Sequence, residues 1–248
     1  MRILILGGTS EASALASALA MRSDVAPMLS LAGRTENPLP PPIPFRVGGF
    51  GGPEGLRAYL ARERFDAVVD ATHPFATQMS RHAALACEGA RVPLLVFSRP
   101  AWTRQDGDDW LDVESVEAAV GALGEAPRRV FLTQGRLQLA AFAAAPQHLY
   151  LVRAIDPPAK IAALRNCKLV LARGPFELAD ELALMKAEKI EILVSKNSGG
   201  AATYPKIEAA RRLGVKVVMV RQPSGGDGRM AHDLASVLGW IETHRPAP

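Results

Sequence analysis

The chain has 248 residues, of which 48% are hydrophobic and 22% charged, a composition typical of globular proteins and sufficient for one large or two medium domains. Its formal net charge of +4 favours acidic ligands, but no run of Lys and Arg interleaved with aromatic residues indicates a nucleic-acid-binding surface. The only cysteines, Cys87 and Cys167, are far apart in sequence and have apolar neighbours, which argues against a disulfide framework and a CxxC metal site.

We therefore expect both thiols to be reduced, buried and structural, and we expect no bound metal. The sequence enters its first strand at residue 2 without a charged leader, and no apolar run approaches the roughly 20 residues that a membrane helix needs. These features predict a cytoplasmic protein without a membrane partner.

Short runs of Val, Ile and Leu alternate with amphipathic segments in the first half of the chain. We predict strands at residues 3–6, 25–31, 67–70 and 93–97, a further strand before Gly48, and helices at residues 10–21, 53–63 and 75–88. Strands that are apolar on both faces are typical of a parallel sheet covered by helices. This half is predicted to be a βαβ series.

The same alternation occurs in the second half. The predicted strands are residues 130–133, 149–152, 168–171, 190–194 and 215–220, with helices at 114–121, 137–144, 176–187 and 204–213 and a last helix at 231–243 whose packing partner the sequence does not identify. The pattern predicts an α/β protein with two Rossmann/flavodoxin-like, doubly wound lobes and an inter-lobe cleft at the strands' carboxyl ends. We predict domains at residues 1–125 and 126–248.

The turn between the first strand and the first helix contains Gly7, Gly8, Thr9 and Ser10. Backbone N–H groups and the helix dipole favour a phosphate at such a turn. The G-x-G-x-x-G fingerprint is absent, so a Gly-Gly turn that only permits tight packing is the alternative. Its position at the start of a βαβ unit favours a dinucleotide phosphate.

Arg34 and Thr35 follow the second predicted strand, where a protein selective for NAD usually has Asp or Glu. An arginine and a hydroxyl group suit the 2′-phosphate of NADP. A solvated loop arginine is the alternative.

Two further loops of the first half follow predicted strands. The segment Gly48–Gly52 has four glycines in five positions, which is explained either by close approach of a ligand or by a flexible link to the next helix. Thr72 and His73 follow the strand at 67–70, at the edge where ligands bind. His73 is a candidate for proton transfer, against the commoner role of a hydrogen-bonded structural histidine.

In the second half, Lys196, Asn197, Ser198 and Tyr204 place several hydrogen-bond donors in one loop that leads into a helix. This arrangement suits carboxylates or a phosphate, whereas helix capping by Ser198 would be the ordinary structural explanation. Trp102, which follows the strand at 93–97, suits either stacking on a flat ligand or sealing of a hinge.

Six segments in chain order resemble the precorrin-6A reductase family of cobalamin biosynthesis. They are Gly-Gly-Thr-Ser-Glu-Ala at 7–12, Gly-Gly-Phe-Gly-Gly at 48–52, Asp-Ala-Thr-His-Pro-Phe-Ala at 70–76, Arg-Pro-Ala-Trp at 99–102, Gly-Pro-Phe at 174–176 and Ser-Lys-Asn-Ser-Gly-Gly at 195–200. The glycine turns are unspecific by themselves, and the third and sixth segments are the most distinctive. The similarity spans nearly the whole chain.

The resemblance implies an oxidoreductase that acts on a CH–CH group. It would reduce one double bond of precorrin-6A with hydride from NADPH to give precorrin-6B. The implied cofactor residues are Gly7, Gly8, Thr9, Ser10, Arg34, Thr35 and Thr72. The implied contacts of the tetrapyrrole carboxylates or the cofactor diphosphate are Arg136, Arg153, Lys196, Asn197, Ser198 and Gly199. The proton would come from His73, Tyr204, Lys196 or solvent. The oligomeric state stays open, with a monomer favoured.

Other protein classes fit less well. A short-chain dehydrogenase needs Tyr-x-x-x-Lys, but Glu208 stands four residues after Tyr204. A methyltransferase that uses S-adenosylmethionine would favour an acidic residue where Arg34 stands. Another NADP-dependent oxidoreductase, or a two-lobed binding protein for an anionic small molecule without enzymatic activity, is excluded only by the family resemblance.

Overall fold

The computed structural model describes residues 1–33, 40–133, 135, 138–158, 161–223 and 228–245. The chain forms two compact units, Met1–Pro100 together with Pro223–Pro248, and Ala101–Gln222. In the described part of the chain, no helix is both long enough and apolar enough to cross a membrane.

Strands and helices alternate along the described residues. The strands are β1 Arg2–Leu6, β2 Ala26–Leu31, β3 Phe45–Val47, β4 Ala67–Asp70, β5 Leu94–Phe97, β6 Trp110–Val113, β7 Arg129–Leu132, β8 Leu149–Ala154, β9 Cys167–Leu171, β10 Ile192–Lys196, β11 Lys216–Val220 and β12 Met230–Ala231. The α-helices are α1 Ser10–Ala20, α2 Pro53–Glu63, α3 Thr77–Ala90, α4 Val116–Ala122, α5 Leu178–Ala187, α6 Pro205–Leu213 and α7 Leu234–Thr243. Short 3-10 helices cover Leu139–Ala144, Ile161–Ala163 and Ala201–Thr203.

Each unit contains one six-stranded parallel sheet. The first sheet has the order β3-β2-β1-β4-β5-β12, and the second has the order β9-β8-β7-β10-β11-β6. In both sheets the strand order reverses direction between the third and fourth strands. These are β1 and β4 in the first sheet and β7 and β10 in the second. The predicted pair of doubly wound parallel sheets is confirmed.

The core of the first unit follows from the two-residue period of β1. Ile3 and Ile5 pack on one face of the sheet with α1 and α7, whereas Leu4 and Leu6 pack on the other face with α2 and α3. Burial on both faces explains why these strands are apolar throughout rather than alternating. The last helix, whose partner the sequence did not identify, thus completes the first core through Val237, Trp240 and Ile241.

The predicted domain boundary at 125/126 differs from the observed division. Residue Trp110 begins β6, which pairs with β11 at the edge of the second sheet, so this unit starts near residue 101. Residues 223–248 return to the first unit, where β12 pairs with β5. Each sheet therefore takes its sixth strand from the segment that leads into or out of the second unit, and such short edge strands carry little sequence signal.

The predicted helices and strands of βαβ type are present with small shifts at their ends. The predicted helix at 137–144 is a 3-10 helix at Leu139–Ala144, and its predicted first residue lies outside the described residues. The structure adds β6 and β12, which the sequence did not predict. Both cysteines are free as expected, but only Cys87 is buried, whereas Cys167 at the start of the edge strand β9 is half-buried.

Candidate functional site

Each sheet has predicted ligand loops at its reversal point, whereas the glycine-rich segment Gly48–Gly52 follows the edge strand β3. In the first unit, Gly7–Thr9 follow β1 and Ala71–His73 follow β4. These two strands are neighbours in the sheet, and the chain continues from β1 to β2 on one side and from β4 to β5 on the other. In a doubly wound sheet, the carboxyl ends of strands at such a reversal flank the crevice that receives ligands. The strand order therefore brings together two loops that are more than 60 residues apart in sequence.

The turn after β1 has the backbone that a phosphate site needs. Gly8 has a φ of +116°, a conformation that residues with a side chain rarely adopt. Apart from Gly8 itself and its two chain neighbours, no described residue has an atom within 4 Å of the position that a Cβ of Gly8 would take, so the space beside this residue is open. The turn leads directly into the N-terminus of α1, where N–H groups without helical acceptors can bind an anion.

Thr9 joins the two loops of the first unit. Its Oγ1 accepts a hydrogen bond from Ala12 N at 3.1 Å, which caps α1, and donates one to Ala71 O at 2.7 Å. A hydroxyl group has a single proton to donate, so this Oγ1 is not a donor to a phosphate in this arrangement. Thr9 contributes by fixing the shape of the turn and capping the helix.

Thr72 and His73 are also held by local hydrogen bonds. The Thr72 backbone N and Oγ1 both donate to Asp70 Oδ1, at 3.0 and 2.7 Å, so the Thr72 hydroxyl proton is engaged within the loop. His73 Nδ1 accepts from Phe75 N at 3.2 Å, which leaves Nε2 to carry the proton of the neutral ring. Thr72 could therefore contact a ligand only as an acceptor, through its Oγ1 or its carbonyl oxygen, since both of its donors are engaged.

Arg46 organises the glycine-rich loop that follows β3. Its guanidinium donates to Ser30 Oγ at 2.8 Å, to Gly48 O at 2.9 Å and to Gly49 O at 3.0 Å, and its Cζ lies 4.2 Å from the centre of the Phe50 ring. These contacts connect the end of β2 to the loop. Arg46 was not among the predicted site residues, although it lies two residues before the glycine-rich segment Gly48–Gly52.

Replacement of Arg46 by alanine is expected to loosen this loop. The change removes three hydrogen bonds from a charged donor, so we expect a loss of about 1–3 kcal/mol in the free energy of unfolding and faster amide hydrogen exchange at residues 48–52. Arg62→Ala is the matched control, because the Cζ atoms of Arg46 and Arg62 each lie 5.3 Å from the centre of the Tyr59 ring. Arg62 is exposed, and its ion pair with Glu63 lies at the surface. Equal exchange in the two variants would contradict the role of Arg46.

The second unit has the corresponding arrangement between β7 and β10. Thr133, after β7, donates from its backbone N and its Oγ1 to Val194 O in β10, at 3.3 and 3.1 Å. Lys196 is the last residue of β10 and is half-buried, and Ser198 and Gly199 follow it, Gly199 with a φ of +72°. Lys196, Ser198 and Gly199 thus lie at the reversal point of the second sheet.

Asn197 has a different position from the one expected of a ligand contact. Its Oδ1 accepts from Trp102 N at 2.6 Å and its Nδ2 donates to Trp102 O at 2.9 Å, and its side chain is buried. The carboxamide therefore pairs with the Trp102 backbone as a neighbouring strand would, which fixes Trp102 at the carboxyl end of the second sheet. This geometry favours a positioning role for Asn197 over a direct substrate contact.

Tyr204, the third candidate proton donor, packs beside Trp102 with ring centres 5.8 Å apart. Its hydroxyl accepts a hydrogen bond from Arg211 Nη2 at 2.7 Å, and Arg211 is paired with the buried Asp108. These contacts keep the phenol against α6, while its own proton is available to another acceptor.

Arg153, predicted to contact a substrate carboxylate, is buried. Its Nη1 pairs with the buried Glu181, and its Cζ lies 3.7 Å from the centre of the Phe176 ring and 5.0 Å from that of Phe131. A buried cation with a paired carboxylate and two aromatic neighbours is a structural group. The geometry therefore favours an internal role for Arg153 over a substrate contact.

Three predicted site residues, Arg34, Thr35 and Arg136, lie outside the described residues. Ser10 lies at the first turn of α1, where its Oγ contacts both Glu11 and Arg99. Glu11 and Arg99 were not among the predicted site residues, although Arg99 closely follows β5. Cys87 is not a nucleophile, because burial, with a smaller contribution from the charge of Asp70, raises the pKa of its thiol to about 12.

Comparison with known proteins agrees with this architecture. The precorrin-6x reductase CbiJ/CobK family matches residues 2–242. The chain is 46% identical over 247 residues to a precorrin-6A reductase of Rhodobacter capsulatus, covering 100% of this chain and 98% of the relative, and 49% identical over 246 residues to one of Sinorhizobium sp., covering 97% and 94%. A solved structure of CobK precorrin-6A reductase superposes with a TM-score of 0.95 at 46% identity and covers 100% of this chain and 98% of that one. The chain therefore belongs to the precorrin-6x reductase CbiJ/CobK family.

Proposed function

We propose that this chain catalyses the NADPH-dependent reduction of a double bond of the precorrin-6A macrocycle to give precorrin-6B, an oxidoreduction of a CH–CH group. The observation that carries the cofactor half of the proposal is the open turn at Gly8, held across the reversal point by the hydrogen bond from Thr9 to Ala71. Family membership and the names of the relatives support the substrate half.

The turn in the first unit fits a dinucleotide. The open space beside Gly8 leaves the first backbone N–H groups of α1 accessible to a phosphate. A Cβ at Gly7 would lie 2.6 Å from Leu29 Cδ1, so Gly7 allows the turn to pack closely against β2. Ser10 is proposed to contribute its backbone N–H at the first helical position, because its hydroxyl proton is donated to Glu11. Arg34 and Thr35 are proposed to bind the 2′-phosphate, because a guanidinium matches the geometry and charge of a phosphate. Thr9 would act through the turn that it holds rather than through its hydroxyl proton.

When bound, NADPH supplies a hydride to one carbon of the double bond, and a proton must reach the other atom. Lys196 and Arg136 are proposed to hold carboxylates of the tetrapyrrole, since an ammonium or guanidinium group pairs with a carboxylate. Ser198 and Gly199 are proposed to contact the same carboxylates from the loop that follows Lys196. Asn197 holds Trp102 in place, and the enzyme's main contribution would be the mutual orientation of the two bound molecules.

The source of the proton remains a choice between His73, Lys196, Tyr204 and solvent. His73 is the least suited of the three side chains to donate a proton, because its Nδ1 accepts a hydrogen bond from Phe75 N that protonation of Nδ1 would break. Lys196 carries protons at Nζ, and Tyr204 retains its own proton while it accepts from Arg211. Replacement of each in turn, with the solvent isotope effect on kcat as the readout, distinguishes these sources.

The proposal is tested by titrating the purified protein with NADPH, NADH and S-adenosylmethionine. We expect selective binding of NADPH and, after addition of precorrin-6A, a change in the absorption spectrum of the tetrapyrrole together with oxidation of NADPH. Failure of NADPH to bind would overturn the cofactor half. Binding of NADPH without turnover of precorrin-6A would overturn the substrate half.

Arg34→Ala is expected to remove the selectivity for NADPH. Loss of one charge-assisted pair with the 2′-phosphate should raise the Kd for NADPH on the order of tenfold and leave the Kd for NADH unchanged. Arg57→Ala is a suitable control, since Arg57 is an exposed arginine of the same unit that pairs with Glu54. Equal weakening of both nucleotides by Arg34→Ala would assign the arginine a structural role instead.

A further inference from the structure

An ion pair lies at the first turn of α1. Arg99, two residues after the end of β5, has its Nη1 2.5 Å from Glu11 Oε2 and 3.4 Å from Ser10 Oγ. Ser10 Oγ also donates to Glu11 Oε2 at 3.1 Å. The side chains of Glu11 and Arg99 are only 20% and 15% exposed, so water screens this pair less than the surface ion pairs of the same unit.

The negative charge of Glu11 opposes the binding of any anion at this helix end. A carboxylate in the first turn interacts favourably with the helix dipole, and by doing so it occupies the positive potential that a phosphate would use. Burial raises the pKa of the Glu11 carboxyl, but the hydrogen bond and the charge of Arg99 outweigh this effect and hold the pKa below its ordinary value. Glu11 is therefore ionised at neutral pH, and Arg99 supplies the compensating charge.

We propose that Arg99 is a positioning residue for the cofactor diphosphate: it neutralises Glu11 and thereby allows the N-terminus of α1 to accept an anion. In turn, Glu11 holds the Arg99 guanidinium beside the turn formed by Gly7, Gly8 and Thr9. This inference rests on the proposed binding of NADPH at that turn. It assigns to the pair a role in the charge balance of the site, in addition to any contribution to folding.

The proposal predicts effects of opposite sign for the two partners. Without Arg99, the unpaired carboxylate of Glu11 repels the diphosphate, which should weaken NADPH binding on the order of tenfold for a partly buried charge. Without the charge of Glu11, Arg99 is a net positive charge beside the diphosphate and should tighten binding. A purely structural ion pair would instead make both substitutions harmful, because each would break the pair.

The experiment measures the Kd of NADPH by isothermal titration calorimetry for the wild type, Arg99→Met, Glu11→Gln and the double variant, each at low and at physiological salt. We expect Arg99→Met to raise the Kd on the order of tenfold, Glu11→Gln to lower it with a gain that shrinks as salt rises, and the double variant to return to within about threefold of the wild type. Arg99→Lys keeps the charge and should bind within about threefold of the wild type, which provides a second comparison if Arg99→Met does not fold.

The ion pair between Arg2 and Glu63 supplies the control, because it lies at the amino end of β1, at the opposite edge of the same sheet. Arg2→Met and Glu63→Gln should leave the Kd unchanged. Weaker binding in Glu11→Gln and no recovery in the double variant would overturn the inference while leaving the proposed function standing. If the wild type itself does not bind NADPH, the proposed cofactor is wrong and the pair has no such role.

Discussion

Gly8→Ala is expected to remove most of the affinity for NADPH while the protein remains folded. At a φ of +116°, an alanine is strained by about 1–3 kcal/mol and relieves the strain by moving the turn. The added methyl group would also project into the open space beside the turn, where we propose that the diphosphate binds. The two effects together should raise the Kd on the order of a hundredfold, which calorimetric titration with NADPH measures directly.

Gly239→Ala is the control for this substitution. Gly239 lies in the interior of α7 and is exposed, and outside its chain neighbours and the backbone of its own helix no described atom lies within 4 Å of its Cβ position. Alanine should therefore be neutral or stabilise the helix by about 0.5–1 kcal/mol. A Gly8→Ala protein that has the thermal stability expected of a folded variant and binds NADPH like the wild type would show that the turn is a packing feature alone.

The second large effect is expected at Arg153 and Glu181. Arg153→Met leaves the Glu181 carboxylate buried without its cation, and Glu181→Gln leaves the guanidinium buried without its anion. Breaking a buried ion pair on one side costs about 3–5 kcal/mol, whereas replacing both partners with apolar residues of similar volume is often close to neutral. We therefore expect each single variant to be strongly destabilised and Arg153→Met/Glu181→Leu to recover most of the loss, as measured by urea denaturation.

The double variant also separates the two roles considered for Arg153. If Arg153 is internal, the stable double variant should keep its KM for the tetrapyrrole within about threefold of the wild type. A stable double variant with a strongly raised KM would restore Arg153 as a substrate contact. Lys168→Ala, which removes the exposed ion pair with Glu188 in the same unit, should cost less than about 1 kcal/mol and serves as the stability control.

The predictable part of this fold is the part encoded in local patterns. Runs such as Ile3–Leu6 are apolar at every position, and this pattern predicts a buried parallel strand without reference to its neighbours. The boundary between the units was not predictable in the same way, because β12 and β6 are short edge strands that join sheets formed largely by other stretches of the chain. Their pairing depends on open sheet edges, and edges exist only after the other strands have assembled.

In the candidate site, too, local segments could be predicted from the sequence, whereas long-range contacts could not. The glycine turn at Gly7 and Gly8 and the segment around Lys196 could be picked out from the sequence as candidate ligand loops. Each combines glycines with polar residues directly after a predicted strand. The hydrogen-bond partners of residues in and near these segments could not be read from the sequence. Thr9 bonds to Ala71 across 62 residues, Arg99 to Glu11 across 88 and Asn197 to Trp102 across 95. Asn197 and Arg153 were assigned to ligands for this reason, because a polar side chain in a loop looks the same in sequence whether its partner is a ligand or another part of the chain.

By itself, the sequence determined the α/β class, the positions of most strands and helices and the family, and it led to the loops that we propose as ligand sites. These properties follow from hydrophobic periodicity, turn chemistry and short segments, all of which act over a few residues. Only the tertiary structure decided the order of the strands, the return of the last helix to the first unit and the buried partners of Thr9, Asn197 and Arg153. Those depend on which distant segments can satisfy one another's hydrogen bonds and charges once water is excluded, and no local pattern records that outcome.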